Sequence, residues 1–254
     1  MFDVCAMIAN DTATEMELLM VDTTIIIPAQ FNGPPTSGNG GFCAGRVARF
    51  IDGDASVSLH APPPLDTPLD VTVADGRVDV RHGDKLVMSA ISGGPILTPP
   101  PAPAMQLARQ GAAHFIAPDK HPFPRCFVCG PDRGIGDGLR IFTGRPDGSD
   151  LALDIWTPLA DFTDETGTLP DEIIWAALDC PSAFAIRKAG NTVLLGKFSA
   201  KIITRPNVGE DYITAGWEDH SVERKHFCGT AIFDKNGELM AHADALWIEL
   251  RGQS

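Results

Sequence analysis

The sequence predicts an α+β fold built twice along one chain. Three observations carry this. A proline-crowded stretch divides the chain; each side reads as one buried helix followed by antiparallel strands; and the same turn motifs recur at matching places on both sides.

The division comes first. A chain of 254 residues is long enough for two domains of ordinary size. Pro95, Pro99, Pro100, Pro101, Pro103, Pro118, Pro122 and Pro124 crowd one segment. Proline breaks helix interiors and central strands, so the segment reads as a connector with one short helix over Met105–His114. The expected organisation is an N-terminal extension (1–21), a first unit (22–92), a Pro-rich linker (93–125) and a second unit (126–254).

In the first unit, the β-branched run Thr23–Phe31 reads as a strand. Asn39 is placed to cap a helix running to about Ile51. Gly40, Gly41, Ala44, Gly45 and Ala48 let another backbone or a ligand approach that helix. Short strands follow over Ala55–Ala61, Leu69–Ala74, Arg77–Arg81 and Lys85–Ile91, with turns at Asp75-Gly76 and Gly83-Asp84.

The second unit repeats the plan. Leu139–Phe142 and Leu151–Trp156 read as strands. Pro170 suits a helix start, where its missing N–H is not needed, and Asp171 and Glu172 suit the first turn's positive dipole end. The helix is apolar nearly all round to about Arg187, so it should be buried, and Pro181 should bend it just past Asp179. Strands follow over Val193–Thr204, Asp211–Glu218, Glu223–Phe233 and Leu239–Leu250, with Asn236-Gly237 as a hairpin turn. Pro64–Val71 lies on Pro206–Ile213, and Gly83–Ala90 on Asn236–Ala243.

Composition narrows the function. The chain has 33 Asp and Glu against 20 Lys and Arg, a net charge of −13, which argues against nucleic acid and anionic membranes as partners. No apolar run is long enough to span a bilayer, and Met1–Asn10 does not read as a secretory signal; a cytoplasmic protein is expected. Cys5, Cys43, Cys126, Cys129, Cys180 and Cys228 are irregularly spaced, as in reduced, cytosolic usage. Cys126 and Cys129 form a single C-x-x-C, which cannot complete a zinc site. His114 and His121 are the nearby candidates to help, and no metal or cofactor is expected. His220, His226 and His242 read as surface or packed histidines. Asp154, Asp161, Asp164 and Glu165 read as a solvated acidic loop. Lys197, Lys201 and Arg205 share one strand face opposite Phe198, Ala200 and Ile202. That basic face reads as solvated surface or as a place for phosphates.

Three motifs carry a family resemblance. Cys126-Phe-Val-Cys-Gly130 followed by Gly138-Leu-Arg-Ile141 resembles an entry strand, Trp175-Ala-Ala-Leu-Asp-Cys-Pro181 a central helix, and Gly38-Asn-Gly-Gly-Phe-Cys-Ala-Gly45 a glycine-rich helix start, of the hotdog-fold acyl-CoA thioesterase superfamily. The resemblance implies a double hotdog, with each central helix wrapped by an antiparallel sheet. It also implies a substrate that is an acyl-CoA or acyl-carrier-protein thioester, and further pairing of chains into homo-oligomers.

In that family a glycine-rich helix start offers a backbone N–H to the thioester carbonyl, and an Asp or Glu two turns into the facing helix activates water or attacks directly. Here the roles are split. Asn39-Gly40-Gly41 has the donor start, but the acid position falls on Ala48. Pro170-Asp171-Glu172 lacks glycines, but the acid position falls on Asp179. The resemblance therefore implies one composite site, with Asp179, Gly40 and Gly41 catalytic and with Asn39, Trp175, Lys197, Lys201 and Arg205 contacting substrate. Plainer roles stand beside these: Asp179 as a buried structural carboxylate, Gly40 and Gly41 as packing glycines, and Asn39 as an N-cap. A thioester-binding protein without turnover is the alternative function. A hydratase or dehydratase is a third, disfavoured by the missing Asp-His pair.

Overall fold

A computed structural model describes residues 21–251; the chain start and Cys5 lie outside the described residues. The first half runs β1 (Val21–Ile25), α1 (Gly40–Ala48), β2 (Ala55–Leu59), β3 (Leu69–Ala74), β4 (Arg77–His82) and β5 (Lys85–Ser92). The linker carries α2 (Met105–Ala108). The second half runs β6 (Ala152–Trp156), α3 (Asp171–Ala177), α4 (Asp179–Phe184), β7 (Val193–Ile202), β8 (Tyr212–Val222), β9 (Lys225–Phe233) and β10 (Leu239–Glu249).

All ten strands form one antiparallel sheet in the order β1-β3-β4-β5-β2-β7-β10-β9-β8-β6. Read from either edge, each half has the order first-third-fourth-fifth-second strand. The two halves join where β2 pairs with β7, with Val57 opposite Phe198 and Ala55 opposite Ala200. Gly83, at φ 56°, turns β4 into β5; Gly237, at φ 85°, turns β9 into β10 at the equivalent place. The left-handed backbone there explains why both turns carry glycine.

Helices α1, α3 and α4 lie against one face of this sheet, and α2 packs on the other. Cys43, Ala44 and Val47 of α1 are buried, as are Ile173, Ile174, Ala176 and Ala177 of α3. Trp175 meets Phe198 of β7 edge-on, with ring centroids 5.7 Å apart. The apolar side of β7 does cover the helix. Helices α1 and α3 run antiparallel: Gly41 lies against Trp175 and Asp179, Gly45 against Glu172.

Some elements differ from expectation, each for a local reason. The second helix breaks at Leu178, before Asp179 rather than after it. Pro181 has no N–H for the carbonyl four residues back and its ring crowds that carbonyl, so the disruption falls a turn earlier than the proline. Leu139–Phe142 is not a regular strand. Leu139 and Ile141 N–H donate to the Phe127 and Val128 carbonyls, but Arg140 between them has φ 55°, which interrupts the extended run. The first strand stops at Ile25 ahead of Pro28, and Ala29–Phe31 form a 3-10 turn. In the linker, α2 ends at Ala108 and a 3-10 turn covers Gly111–His114.

The linker is part of the core rather than a spacer. Ala108 is buried with Leu153, Ile213, Ala215 and Phe233 in a second apolar cluster, and Phe115 packs on Phe184 at 4.8 Å between centroids. Among the described residues, no helix is long and apolar enough to cross a membrane.

Candidate functional site

The site begins at a helix start. Asn39 adopts an extended conformation, and its Oδ1 accepts from Phe42 N–H at 2.9 Å, so it caps α1. The same side chain also donates, from Nδ2 to Asp179 Oδ2 at 2.6 Å, and Gly41 N–H donates to that oxygen at 3.0 Å. Asn39 is 2% exposed and Asp179 1%. One half of the chain thus supplies a helix N-terminus, and the other supplies the carboxylate held against it.

The glycines permit this closeness. A Cβ on Gly41 would stand 2.6 Å from both Asp179 Cβ and the Trp175 carbonyl oxygen; one on Gly45 would stand 2.6 Å from Glu172 Cα. Gly40 faces elsewhere, toward the Leu195 side chain, and lines a cavity. Its N–H, at the first helical position, has no hydrogen-bond partner among the described residues.

Burial pushes the Asp179 pKa up to about 7, against the pull of the Gly41 N–H; Cys126 nearby raises it further, while the Asn39 amide lowers it. Asp179 Oδ1 is buried without a partner. The turn carrying Asp179 is braced from the sheet. Trp247 Nε1 donates to Ser182 Oγ at 2.8 Å, and Ser182 Oγ donates to the Asp179 carbonyl at 2.7 Å.

The cavity holds about 580 Å³ and is lined by Asn39, Gly40 and Asp179 together with mostly apolar residues from both halves and the linker. Leu59 and Pro63 come from the first half, His121 and Phe123 from the linker, and Leu195 and Trp247 from the second half. Among the described residues, no Lys or Arg lines it. A volume of this size suits a small ligand or an acyl chain.

The counterpart place, related by the repeat, is different. Glu172 lies where α3 begins and pairs with Arg46 at 2.9 Å. Pro170 supplies no side-chain cap. A smaller cleft there, of about 270 Å³, is lined by Phe31, Phe42, Arg46, Pro170, Glu172 and Ile173. Ala48 gives it no carboxylate.

The structure brings Asp179, Gly40, Gly41 and Asn39 together, and leaves the other predicted substrate contacts outside the cavity. Trp175 is 5% exposed and fills the helix–sheet core against Phe198. Lys201 pairs with Asp54 at 3.1 Å and Arg205 with Asp171 at 2.5 Å; Lys197 is exposed on β7. Asp154 is not part of a solvated loop. It is buried in β6, where its carboxylate accepts from Phe142 and Ile155 N–H, and burial raises its pKa to about 6. Asp161, Asp164 and Glu165 are exposed, as expected. His226 is a packed histidine between two carboxylates, 3.0 Å from Glu218 and 2.8 Å from Glu249.

Sequence reasoning missed the linker's share of the cavity, because proline density signals a connector and says nothing of where it packs. It also missed a third thiol. Cys180 Sγ lies 3.7 Å from Cys126 Sγ, although 54 residues separate them in sequence. All five described cysteines are free thiols.

No protein-family model matches this sequence. No curated protein is similar to it at the sequence level. Solved structures are similar over nearly the whole chain. The tesB protein of Mycobacterium avium subspecies paratuberculosis is 15% identical, over 92% of this chain and 96% of that one, with a TM-score of 0.58. A conserved hot dog-fold protein of unknown function from Alicyclobacillus acidocaldarius is 11% identical, over 91% and 94%, with a TM-score of 0.58. A Novosphingobium aromaticivorans protein provisionally assigned as a thioesterase is 15% identical, over 91% and 96%, also with a TM-score of 0.58. These likenesses, with the helix-on-sheet arrangement above, make this chain a protein of the hotdog fold.

Proposed function

We propose that the chain is a double hotdog, with units 22–92 and 126–254 and linker 93–125, that hydrolyses an acyl-CoA or acyl-carrier-protein thioester at one composite site between the units. The observation that carries this reading is the contact of Asp179 with the start of α1, where Asn39 Nδ2 and Gly41 N–H hold one carboxylate oxygen at 2.6 and 3.0 Å beside an apolar cavity. The repeated strand order supports the tandem assignment. The thioesterase assignment of the Novosphingobium protein supports the reaction class.

The chemistry follows from charge. Attack on a thioester carbonyl builds negative charge on its oxygen. The partnerless Gly40 N–H and the positive end of α1 face that demand, since helix N-termini carry unsatisfied donors. Asp179 supplies the carboxylate that takes a proton from water or attacks the carbonyl carbon. Gly41 N–H and Asn39 act on Asp179 rather than on substrate, because their donors are already engaged with it. The acyl group occupies the apolar cavity.

A second reading, thioester binding without turnover, draws on the same bond. Asp179 occupies the Gly41 N–H that a carbonyl oxygen would otherwise use. Incubating the protein with acyl-CoAs of graded chain length and a thiol reagent separates the two. Thiol release above the no-protein rate is the expected result. Saturable binding with no release supports the binding protein, and neither binding nor release refutes both.

A further inference from the structure

The C-x-x-C pair and the second helix bring three thiols to one point of the cavity wall. Cys126 and Cys129 come from the turn after the linker, and Cys180 is the second residue of α4. Their three Sγ atoms all lie within 4.8 Å of one another, and Cys126 and Cys180 are 3.7 Å apart. All three residues are buried, and all three line the cavity. A tetrahedral ion with metal–sulfur bonds of about 2.3 Å spaces its thiolates roughly 3.8 Å apart. The observed spacing therefore needs little adjustment to close on a shared ion.

Cys126 Sγ and Cys180 Sγ stand at sulfur hydrogen-bond distance, 3.7 Å, and either thiol can donate to the other. Gly130 lets the chain fold back onto the Cys126 backbone: a Cβ there would stand 2.5 Å from the Cys126 carbonyl oxygen and 2.6 Å from its nitrogen.

We propose that Cys126, Cys129 and Cys180 bind one thiophilic cation of the Zn²⁺ class, with a fourth coordination position open to the cavity. Three metal–sulfur bonds form, and the protons still on the thiols pass to solvent. A divalent ion with three thiolates leaves the group with one net negative charge.

His121 is not the fourth ligand. Its Nδ1 accepts from Phe123 N–H at 3.1 Å, so the neutral ring carries its proton on Nε2, which is buried without a partner. His121 lines the same cavity as the three thiols. Asp179, next in the chain to Cys180, lies outside the three-sulfur group. Three protein ligands with one open position is the arrangement of sites that bind small ligands rather than of closed structural ones. This proposal is independent of the hydrolytic reading, and its test reads metal directly.

The full chain, reduced and treated with a chelator, is titrated with Co²⁺ and then with Zn²⁺. The expected result is one Co²⁺ per chain with a near-ultraviolet thiolate-to-cobalt charge-transfer band, lost as Zn²⁺ displaces the cobalt. Cys180→Ser and Cys126→Ser should each weaken Zn²⁺ binding at least tenfold. Cys228→Ser, whose thiol lies on β9 outside the group, should leave it unchanged. The wild-type titration does not depend on any variant folding. Absence of the charge-transfer band in the reduced wild-type protein overturns the proposal, as does equal Zn²⁺ affinity in Cys180→Ser. Formation of a Cys126–Cys180 disulfide in the presence of excess Zn²⁺, read by mass after alkylation, also overturns it and makes the cluster a redox pair.

Discussion

Replacing Gly41 with alanine puts a methyl group between the two central helices. Its carbon would lie 2.6 Å from Asp179 Cβ and 2.6 Å from the Trp175 carbonyl oxygen, both fixed parts of the facing chain. Carbon atoms pack comfortably at about 3.5–4.0 Å, so the helices must separate by roughly 1 Å. Overpacking of this kind typically costs about 1–3 kcal/mol. Alanine recovers up to ~1 kcal/mol through its better helix propensity. The net loss should be about 1–2 kcal/mol, a fall in melting temperature of roughly 2–8 °C for a chain of this size.

The same shift lengthens the Gly41–Asp179 bond, so hydrolysis should fall with stability. Gly40→Ala is the control. Its methyl would lie 2.7 Å from Leu195 Cδ2, which can turn away, and 3.0 Å from Leu195 Cβ, which must give by a few tenths of an ångström, so the stability loss should be smaller than for Gly41→Ala, about 1 kcal/mol, while the methyl narrows the cavity and raises KM. Thermal unfolding and thiol release measured on both variants test this. A Gly41→Ala protein that melts with wild type and hydrolyses at the wild-type rate would refute the close-contact argument.

Two further outcomes follow from the same contacts. Burial disfavours charge on His226, but the Glu218 and Glu249 carboxylates outweigh it and raise its pKa above the usual histidine value. Its contribution to stability is therefore complete below about pH 6.5, the ordinary histidine value, and is lost as pH rises through the higher folded-state value. Denaturant unfolding across pH 6 to 9 should show the wild type losing stability relative to His226→Gln; parallel curves would contradict this. Asn39→Ala removes both the cap and the bond to Asp179, whereas Asn39→Ser keeps a capping oxygen. Serine should restore the ~1 kcal/mol usually lost with a cap but not the hydrolysis rate, and equal rescue of both would make Asn39 a cap alone.

Much of the fold was legible because the hydrophobic period and turn residues were local signals. Leu69–Ala74 could be read as a strand to the residue from alternation alone, and Asn236-Gly237 marked its hairpin. The Asn39 cap was equally local. The Asp179–Asn39 pairing came instead from the family resemblance, since nothing in residue spacing links positions 140 apart. Failures arose where tertiary packing decided the outcome. Asp154 looked like a member of an acidic loop because three more acids follow it, yet its place in β6 turns it inward. Lys197 and Lys201 lie exposed on β7, but the strand ends at Ile202, short of Arg205, and alternation cannot say whether their face borders a cavity. Cys180 could not be joined to the C-x-x-C until the fold brought the helix to the turn.

The central claim is tested most directly by thiol release from Asp179→Asn on whichever acyl-CoA the wild type cleaves best. Asparagine keeps the shape, and its carbonyl oxygen can still accept from Gly41 N–H and Asn39 Nδ2, but it can neither take a proton nor attack. The expected result is a fall in kcat of about 10²-fold or more, with substrate binding retained. Full activity in Asp179→Asn would contradict the account and move the reactive group elsewhere in the cavity.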